Sequence, residues 1–598
     1  MRTFMTTLNE IFNDKLLGDS KNLYFYSNGQ NMGKYSVNDL YAESLTKAKI
    51  IDRSSQSKYV LIEGNNDFEF VSNFFAVLLA GKTAVPVTTS LWITPNYFTS
   101  IMDSILETTE ADLFLCSDKT AHLMAYKKIR FISPLDWENM EIDSKDFIPK
   151  IVTPDDEALI QFSSGSTGNP KGVVLTHKNI IANLDQIASA IHLEDSDKNT
   201  VVSWLPVHHD MGLIGGLLYN LYKSNPIHLM SPFDFAVNPA RWLKLITEVK
   251  ANIIVGPNSG YHLTTKRVRD SKLNSYDLSS VRVALCGAEP INTKTLYSFV
   301  EKFSRCGFKE SAFTPCYGMA ESTLAISFFQ QDSIRVESLC PDELHENKLA
   351  VPQYGDSDKE PLLAVSCGKP LKGMKVKIID SKGNNLPERA VGEIIISGPS
   401  ICQGYLNRPE LNKKLFTGDY LKTGDMGFIA NGEIFVTGRK KDVIIINGLN
   451  INAEEIEMQL LKNKSLRPGR LVAIPTKCKK NDSEDIALII ETKPRLYCLQ
   501  EAYRENLADK VFKQINDYIS VKKENIFIVP PGTIIKTTSG KVKRQKMREL
   551  LEDGTIESIK FSHAFFQYKL IENKTKANIL IGGITKSAEK RITRIFNG

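Results

Sequence analysis

Short apolar runs alternate with longer stretches of helical spacing along the first part of the chain. Residues 59–63 (YVLIE) and 83–87 (TAVPV) are rich in β-branched residues, which favours strands. Between them, the apolar positions of residues 68–81 (FEFVSNFFAVLLAG) recur at helical spacing, which predicts a helix that ends at Gly81. The order strand, helix, strand is typical of a parallel sheet covered by helices.

The same pattern recurs further along the chain. Residues 158–164 (ALIQFSS) predict a strand that runs into a glycine-rich loop, and residues 177–191 predict the helix after that loop. Two more predicted strands, over residues 251–257 and 281–290, end in turns that contain glycine. Ligands bind at the carboxyl ends of the strands in such sheets, so we expect a ligand site among these loops.

The pattern changes from about residue 368. Short strands such as 374–380 and 392–398 alternate with Gly and Asn turns, which predicts a small antiparallel barrel or sheet over about 368–437. Beyond residue 442, strands and helices alternate in a compact α+β segment.

These patterns predict an α/β fold with two domains. The large N-terminal domain, residues 1–440, consists of parallel sheets with helices and includes the β-barrel-like subdomain. A smaller α+β C-terminal domain covers residues 441–550. Residues 551–598 form a tail of unknown role.

Composition narrows the class of protein. The net charge of +6 is spread over 598 residues, which is too dilute to indicate a nucleic-acid partner. The nine cysteines contain no C-x-x-C pair, so the sequence predicts neither a zinc site nor a disulfide framework. The N-terminal residues do not read as a signal peptide, and no apolar run reaches the ~18 residues of a membrane span. We therefore expect a cytoplasmic enzyme without stable membrane insertion.

The glycine-rich loop carries the first chemical signal. Residues 161–172 (QFSSGSTGNPKG) contain three glycines, four hydroxyl side chains and one lysine. The N–H groups of such a backbone can surround an anion, and the hydroxyls add donors, so a polyphosphate is the favoured ligand. The spacing differs from that of the Walker P-loop. A solvated Ser/Gly turn is the structural alternative.

Several motifs follow one another in a fixed order. They are SSGSTGNPKG (163–172), LPVHHDMG (205–212), GAEP (287–290), YGMAEST (317–323), TGD (423–425), GRKKD (438–442) and KTTSGKVKR (536–544). With this ordered set, the sequence resembles the acyl-adenylate-forming superfamily, which includes acyl-CoA synthetases, luciferases and peptide-synthetase adenylation domains. The resemblance covers about residues 10–550.

The resemblance implies an enzyme in which a carboxylate attacks the α-phosphate of ATP, giving acyl-AMP and pyrophosphate. It implies that the glycine-rich loop binds the β- and γ-phosphates and that Glu321 helps to hold Mg²⁺ on them. Magnesium keeps several waters and needs only one or two carboxylates. The loop residues concerned are Ser163, Gly165, Ser166, Thr167, Gly168 and Lys171.

The resemblance also implies how the nucleoside is held. Tyr317 would stack on adenine, Gly318 would let the ligand approach, and Asp425 and Arg439 would bind the ribose hydroxyls. A strand-end turn and a core tyrosine are the structural alternatives. The other positions placed around the nucleotide are Gly287, Ala288, Glu289, Met319 and Ala320.

Two lysines near the C-terminal domain match further motifs. Lys541 matches the catalytic lysine of the superfamily, whose charge stabilises the transition state. Lys441 matches the hinge about which a mobile C-terminal domain turns between half-reactions. A solvent-facing position in a basic loop is the alternative for Lys541.

A histidine pair precedes an apolar segment. The resemblance implies that His209 is a catalytic residue that orients the carboxylate beside the acyl pocket, and that Asp210 binds nearby polar groups. A structural, hydrogen-bonded pair of His208 and His209 is the alternative. The following apolar segment, residues 211–222, would leave room for a long acyl chain, although core packing explains it equally.

Within the superfamily, HHDMGL and the segment after YGMAESTL resemble the fatty acyl-AMP ligase branch. This implies ATP and Mg²⁺ as cofactors, a fatty acid as substrate, and a phosphopantetheinylated acyl carrier protein or carrier domain as partner. A fatty acyl-CoA synthetase and a catalytically inactive nucleotide-binding regulator are the alternatives.

Residues 330–366 are similar to the insertion of that branch, which hinders rotation of the C-terminal domain. The segment mixes apolar residues with charges and prolines, so we expect part of it to pack on the large domain. A surface loop without effect is the alternative.

Overall fold

The structure is a computed structural model. It describes residues 6–10, 22–90, 95–140, 147–163, 170–191, 193, 199–329, 333–355, 359–446, 449–463, 465–467, 469–477, 484–493, 495–516, 518–519, 521–536, 541–559 and 561. The chain divides into an N-terminal and a C-terminal compact unit, with the main boundary between Lys441 and Asp442.

One mixed sheet of the N-terminal unit contains the first predicted strand–helix–strand unit. Tyr59–Glu63 and Thr83–Val87 pair in parallel, and the helix Phe68–Leu79 connects them. Asp67 begins the helix by accepting the N–H of Phe70. The strands of this sheet, in spatial order, are Arg130–Ile132, Leu113–Leu115, Tyr59–Glu63, Thr83–Val87, Glu157–Ser163 and Lys171–Thr176.

The glycine-rich loop joins two antiparallel strands, so the predicted order of strand, loop and helix is wrong. Glu157–Ser163 pairs with Lys171–Thr176, and Ser163 lies opposite Lys171. The helix His177–Ala190 begins only after the second strand. The short β-branched run after Gly172 favours this strand, and the sequence prediction missed it. As a result, both ends of the loop are fixed to one edge of the sheet.

A larger mixed sheet forms the other half of the N-terminal unit. Its predicted strands are Ile253–Pro257 and Val283–Gly287, which pair in parallel with each other. Antiparallel strands lie at both edges. In spatial order, its strands are Lys369–Pro370, Ala325–Phe328, Phe313–Gly318, Val283–Gly287, Ile253–Pro257, Val201–Ser203, Ile227–Met230, Asn22–Ser27 and Gln30–Ser36.

Helices connect the strands of both sheets. The α-helices of this unit are Leu8–Glu10, Val37–Ser54, Phe68–Leu79, Pro95–Thr109, Asp118–Leu123, Pro134–Asn139, His177–Ala190, Tyr219–Tyr222, Pro232–Val237, Ala240–Val249, Asn258–Arg267, Thr293–Phe303, Pro341–Glu346 and Pro409–Leu415. Shorter 3₁₀ turns are Asp270–Ser275, Ser304–Cys306, Glu310–Ala312, Ala320–Ser322 and Lys440–Asp442.

The apolar segment after the histidine pair is mostly buried, which fits the core-packing alternative, and it begins as a π-helix. This helix, Met211–Leu218, has only buried residues and continues as Tyr219–Tyr222. A Cβ on Gly212 would lie 2.2 Å from the carbonyl oxygen of Pro206, so glycine is required there. π-turns are rare and occur often at functional sites.

The predicted β-rich subdomain is an antiparallel sheet. Its longest hairpin joins Tyr420–Ala430 to Glu433–Arg439. Asn431 and Gly432 form the turn with φ values of 54° and 74°, the left-handed pair that suits Asn-Gly. The strands of the subdomain are Lys375–Ile379, Gly392–Ser397, Phe416–Thr417, Tyr420–Ala430 and Glu433–Arg439.

The insertion packs on this subdomain. Its strands Val336–Leu339 and Leu362–Val365 pair antiparallel. Leu339 and Ala350 are 1% and 0% exposed and share a core cluster with Phe428, Ala430 and Phe435. Part of the insertion is therefore core rather than loop.

The C-terminal unit is an α+β fold around a three-stranded sheet, with a second sheet of two strands. Residues on one face of the sheet pack with Ile456 and Val511 of two helices, and residues on the other face pack with Met547. The first two strands after residue 442 pair antiparallel with each other. The strands are Val443–Ile446, Leu449–Asn452, Leu471–Lys477, Glu484–Glu491 and Ile526–Val529, and the helices are Ala453–Leu460, Leu496–Leu499, Glu501–Asn516, Lys523–Asn525, Arg544–Glu552 and Thr555–Ser558.

Candidate active site

Three predicted nucleoside-binding residues from separate elements are in contact. Tyr317 lies near the end of the strand Phe313–Gly318, and its hydroxyl donates to Oδ2 of Asp425 at 2.8 Å. The Nε of Arg439 lies 3.2 Å from Oδ1 of the same carboxylate. Asp425 and Arg439 face each other across a hairpin, so the register of the sheet fixes their contact.

Burial keeps Tyr317 a neutral hydrogen-bond donor. Its side chain is almost fully buried. Burial raises the pKa of its hydroxyl well above the ordinary value, and the charge of Asp425 raises it further. The hydroxyl of Tyr317 thus donates to Asp425. Stacking of its ring on adenine stays a prediction.

Gly318 is required by the chain's own backbone. A Cβ at this position would lie 1.9 Å from the carbonyl oxygen of Leu324. That oxygen also accepts the N–H of Met319 at 2.8 Å. The tight turn continues through Ala320 to Ser322 as a 3₁₀ helix. This packing explains the glycine without a ligand, which the sequence had suggested as the reason.

A second group of contacts surrounds Glu321. The hydroxyl of Tyr405 donates to Oε1 of Glu321 at 2.7 Å, and Lys171 Nζ lies 4.9 Å from the centre of the Tyr405 ring. Among the described residues, no donor lies within hydrogen-bond distance of Oε2. A single carboxylate with one oxygen held by a neutral donor fits Mg²⁺, which takes most of its ligands from phosphate and water.

The described ends of the glycine-rich loop lie beside this group. Ser163 and Lys171 are cross-strand partners, and Ser163 Oγ lies 3.5 Å from the carbonyl oxygen of Lys171. The predicted phosphate-binding residues Gly165, Ser166, Thr167 and Gly168 lie outside the described residues.

The GAEP motif forms a fixed turn at the end of the strand Val283–Gly287. Ala288 has a φ of 63°, a left-handed conformation that costs a residue with a Cβ about 1–2 kcal/mol. The carboxylate of Glu289 accepts the N–H and the hydroxyl of Ser259, both at 2.9 Å. Ser259 lies in the first turn of the helix Asn258–Arg267, where an acid is favourable. These contacts give Glu289 a structural role.

The contacts of the histidine segment support its structural alternative in part. Burial lowers the pKa of His208 to about 4, so its imidazole is neutral near pH 7. Its carbonyl oxygen accepts the side-chain N–H of Gln161 at 2.7 Å. Asp210 accepts the N–H of Met211 at the start of the π-helix. The ring of His209 lies 4.3 Å from that of His208, centre to centre, and is tilted by 44° to it. His209 is only partly exposed, and its catalytic role stays a prediction.

In the C-terminal unit, Lys541 is exposed. The described ends of its loop are held together by a bridge between Lys536 and Val542 and by the N–H of Lys543, which donates to the carbonyl oxygen of Ile535 at 2.9 Å. Lys541 therefore lies beside a fixed segment of backbone.

A mostly buried ionic cluster holds the end of this loop. One guanidinium nitrogen of Arg544 lies 2.8 Å from both carboxylate oxygens of Glu457. Arg544 also lies 3.6 Å from Asp442 and from Glu454. Asp442 follows Lys441, the predicted hinge residue, so the cluster joins the hinge flank to the lysine loop.

Two searches of the described residues give negative results. No group of three or more His, Cys, Asp or Glu side chains within them is arranged to hold a metal ion. No described helix combines the length and apolar character that crossing a membrane requires.

Comparisons with known proteins agree with this arrangement. Residues 24–406 match the family described as AMP-binding enzyme. The chain belongs to this family. It is 31% identical to medium-chain-fatty-acid–acyl-carrier-protein ligase TtuA of Teredinibacter turnerae, over 88% of this chain and 90% of the relative.

Solved structures extend the likeness to the whole fold. A structure from studies of fatty acyl-adenylate ligases of E. coli and L. pneumophila aligns with a TM-score of 0.85 at 30% identity, over 93% of this chain and 99% of that chain. The fatty acyl-adenylate ligase of L. pneumophila in complex with acyl adenylate and pyrophosphate aligns with a TM-score of 0.70 at 29% identity, over 92% and 97%. The predicted superfamily and fold class of the AMP-binding enzyme are confirmed.

Sequence reasoning missed two residues of this family member that the structure places among the motifs. Tyr405 contacts two predicted site residues, and Arg544 holds the lysine loop. Arg544 ends the motif KTTSGKVKR, whereas Tyr405 lies outside the motifs given above. Their partners lie more than eighty positions away, so no local pattern could have paired them.

Proposed function

We propose that this chain is a fatty acyl-AMP ligase. It uses ATP with Mg²⁺ to activate a fatty acid. An oxygen of the carboxylate bonds to the α-phosphorus of ATP, the bond from that phosphorus to the bridging oxygen breaks, and pyrophosphate leaves. The thiol of a phosphopantetheinylated carrier protein then takes the acyl group, and AMP is released.

One observation carries the proposal: motif residues far apart in the sequence meet as two contact groups. Lys171 and Glu321 meet through Tyr405, while Tyr317 and Arg439 meet at Asp425. A cation beside a carboxylate suits phosphates, and a buried carboxylate with a tyrosine suits ribose hydroxyls. The names of the relatives, which concern fatty acids and acyl adenylates, support the same reaction.

Each residue has a definite task in this proposal. Lys171 binds the terminal phosphates, and Glu321 helps to hold Mg²⁺, which would neutralise phosphate charge. Asp425 accepts the ribose hydroxyls. Lys541 stabilises the charge that builds on the α-phosphate in the transition state, and Lys441 is the hinge through which the C-terminal domain reaches the site.

The insertion favours a carrier protein over coenzyme A as acceptor. Leu339 and Ala350 anchor it in the core of the β-rich subdomain, and Arg389 donates to both Glu337 and the carbonyl oxygen of Ala350. An insertion fixed in this way can restrict domain rotation, which formation of the coenzyme A thioester requires. The competing function, fatty acyl-CoA synthetase, needs that rotation.

One assay tests the reaction and the acceptor together. The protein is supplied with ATP, Mg²⁺ and a medium- or long-chain fatty acid, and pyrophosphate release and acyl-AMP are measured. Coenzyme A and a phosphopantetheinylated carrier are then compared as acceptors. We expect acyl-AMP in both cases and acyl transfer only to the carrier. Robust acyl-CoA formation would establish the synthetase instead, and absence of acid-dependent pyrophosphate release would reject both.

A further inference from the structure

The segment Ser400–Leu406 joins two motifs that the sequence treats separately. On one side, the hydroxyl of Thr323 donates to the carbonyl oxygen of Ser400 at 2.8 Å, and the N–H of Cys402 donates to the carbonyl oxygen of Glu321 at 2.9 Å. The segment therefore fixes the backbone of the turn that carries Glu321.

The other side of the same segment pairs with the strand that leaves the phosphate loop. The N–H of Gln403 donates to the carbonyl oxygen of Val174 at 3.0 Å, and the N–H of Val174 donates to that of Gly404 at 2.9 Å. The N–H of Leu406 donates to the carbonyl oxygen of Gly172 at 2.8 Å. Lys171 begins this strand, so one segment sets the positions of both Lys171 and Glu321.

Tyr405 makes the corresponding side-chain connection. Its hydroxyl donates to Glu321 at 2.7 Å, and its ring faces Lys171 Nζ at 4.9 Å. The side-chain amide of Asn412 holds its backbone, accepting the N–H at 2.7 Å and donating to the carbonyl oxygen at 2.9 Å. The residue is 8% exposed, so its side chain is almost completely buried.

The two contacts of Tyr405 reinforce each other. A hydroxyl that donates to a carboxylate places more negative charge on its ring, and this strengthens the attraction of the ring face for an ammonium group. A ring face also attracts Lys171 without accepting one of its N–H donors. A tyrosine between the lysine and the glutamate thus orients both charges without pairing them directly.

We propose that Tyr405 is a positioning residue that links Lys171 to Glu321, so that the phosphate-binding cation and the magnesium-side carboxylate are presented together to one nucleotide. The inference rests on the proposed function for the roles of Lys171 and Glu321. Tyr405 itself acts through these two side chains.

The test compares Tyr405→Phe with Tyr405→Leu, using the full chain. ATP affinity is measured by calorimetry with and without Mg²⁺. Phe keeps the ring, so affinity without Mg²⁺ should stay within about twofold, while the gain that Mg²⁺ confers should fall about tenfold, as loss of a hydrogen bond to a charged group does. Leu removes the ring as well, so affinity without Mg²⁺ should also fall, by about threefold to tenfold.

Tyr59→Phe is the matched control. The hydroxyl of Tyr59 also donates to a glutamate, Glu157 at 3.1 Å, but at the amino end of its strand. This variant should keep the ATP affinity and the effect of Mg²⁺ unchanged. A gain from Mg²⁺ in Tyr405→Phe within about twofold of the parent value would overturn the role of the hydroxyl.

A double-mutant cycle separates positioning from general loosening of the fold. In a Glu321→Gln background, Tyr405→Phe should reduce the gain in ATP affinity from Mg²⁺ by less than about twofold, because the contact that it breaks is already weakened. Independent, multiplicative effects would overturn the link. A melting curve for each variant shows that it is folded. If Tyr405→Leu does not fold, the contact with Lys171 is tested instead by combining Lys171→Met with the parent Tyr405 and with Tyr405→Phe, and by comparing the two losses of ATP affinity.

The binding measurements need no acyl transfer. If the protein binds ATP with the expected pattern but releases no pyrophosphate with a fatty acid, the proposed function fails and the role of Tyr405 stands. If acyl-AMP forms normally and Tyr405→Phe responds to Mg²⁺ as the parent does, the role of Tyr405 fails alone.

Discussion

Carboxylates in the two units of the molecule are held in different ways. In the N-terminal unit, Glu321 and Asp425 each accept from a tyrosine hydroxyl through one oxygen, and the other oxygen of Asp425 lies 3.2 Å from the half-exposed Arg439. In the C-terminal unit, Arg544 contacts both oxygens of Glu457. A neutral donor orients a carboxylate and leaves it charged toward a ligand, whereas a guanidinium on both oxygens neutralises it.

This difference distinguishes residues that bind from residues that support. The partially held carboxylates keep acceptor capacity for a metal ion or a hydroxyl. The saturated one contributes rigidity, because breaking a buried pair leaves an uncompensated charge. On this criterion we propose that Glu321 faces a ligand, and that Asp425 does so as well because its cation, Arg439, is half-exposed rather than buried. Glu457 is part of the frame that holds the Lys541 loop.

The largest expected effect follows from breaking the saturated pair. Arg544→Met leaves Glu457 buried without its cation, so the free energy of unfolding should fall by about 3–5 kcal/mol. Arg544→Met combined with Glu457→Met removes both charges and should recover most of this loss. Denaturant unfolding of the three variants checks it, and a double variant no more stable than the single one would contradict a paired role.

The loss in Arg544→Met should depend on pH. Burial raises the pKa of Glu457, and Arg544 opposes this rise, so removing the arginine raises that pKa further. The folded state then binds the proton more tightly than the unfolded state, and stability falls as pH rises through the raised pKa. The deficit should be smallest near about pH 5 and grow toward about pH 8. A deficit independent of pH would mean that Glu457 is not the group left unpaired.

The next effect concerns the lysine that this frame holds. Lys541→Ala should slow acyl-AMP formation by about 10²–10³-fold, because a charge donor to the transition state is lost. ATP affinity should stay nearly unchanged, since the lysine acts on charge that develops during the reaction. Single-turnover kinetics with a calorimetric affinity measurement separates the two, and acyl-AMP formation at the parent rate would remove Lys541 from catalysis.

A smaller effect is expected at a partially held carboxylate. Asp425→Ala should weaken ATP affinity by about tenfold to a hundredfold, since hydrogen bonds to a charged group are lost. Asp425→Asn, which keeps an acceptor for the hydroxyl of Tyr317, should lose less. 2′-Deoxy-ATP provides the control. The parent should bind ATP more tightly than 2′-deoxy-ATP, and this difference in affinity should shrink in both variants. If neither variant changes nucleotide affinity, Asp425 belongs with the supporting carboxylates.

The smallest effect concerns the insertion. Leu339→Ala should loosen its anchor in the core, lower the melting temperature and allow a few-fold more acyl-CoA to form, with adenylation unchanged. Val351→Ala, at a 37% exposed position of the same insertion, is the control. Deleting residues 335–360 would also remove core residues, so that variant is less specific than Leu339→Ala. A lower melting temperature of Leu339→Ala without any gain in acyl-CoA would show that the insertion does not determine the acceptor.

The sequence predicted much of the fold because the relevant signals are local. Apolar periodicity located the helix Phe68–Leu79 and the strand Val283–Gly287, and Asn431–Gly432 located a hairpin turn. The strand Lys171–Thr176 was missed because a Lys-Gly start and a glycine-rich loop in front of it masked its short β-branched run. The order of motifs predicted the family, because each motif can be recognised from neighbouring residues alone.

The candidate site was less predictable wherever it depends on distant partners. Tyr405 and Glu321 lie 84 positions apart, and Arg544 and Glu457 lie 87 apart. The reason for Gly318 was also hidden, because the carbonyl oxygen that crowds it belongs to Leu324 after a tight turn. Contacts of this kind arise from the packing of helices and strands. The motifs therefore identify the candidate site residues but not the distant residues that position them.

The insertion also offers a position for a label. Leu339 anchors it in the core, whereas Tyr354 is 87% exposed. A Cβ on the next residue, Gly355, would have no described heavy atom within 4 Å. A short epitope or a fluorophore attached here should leave the anchored core intact. The protein could then be immobilised or followed by fluorescence from a point that its own packing leaves open.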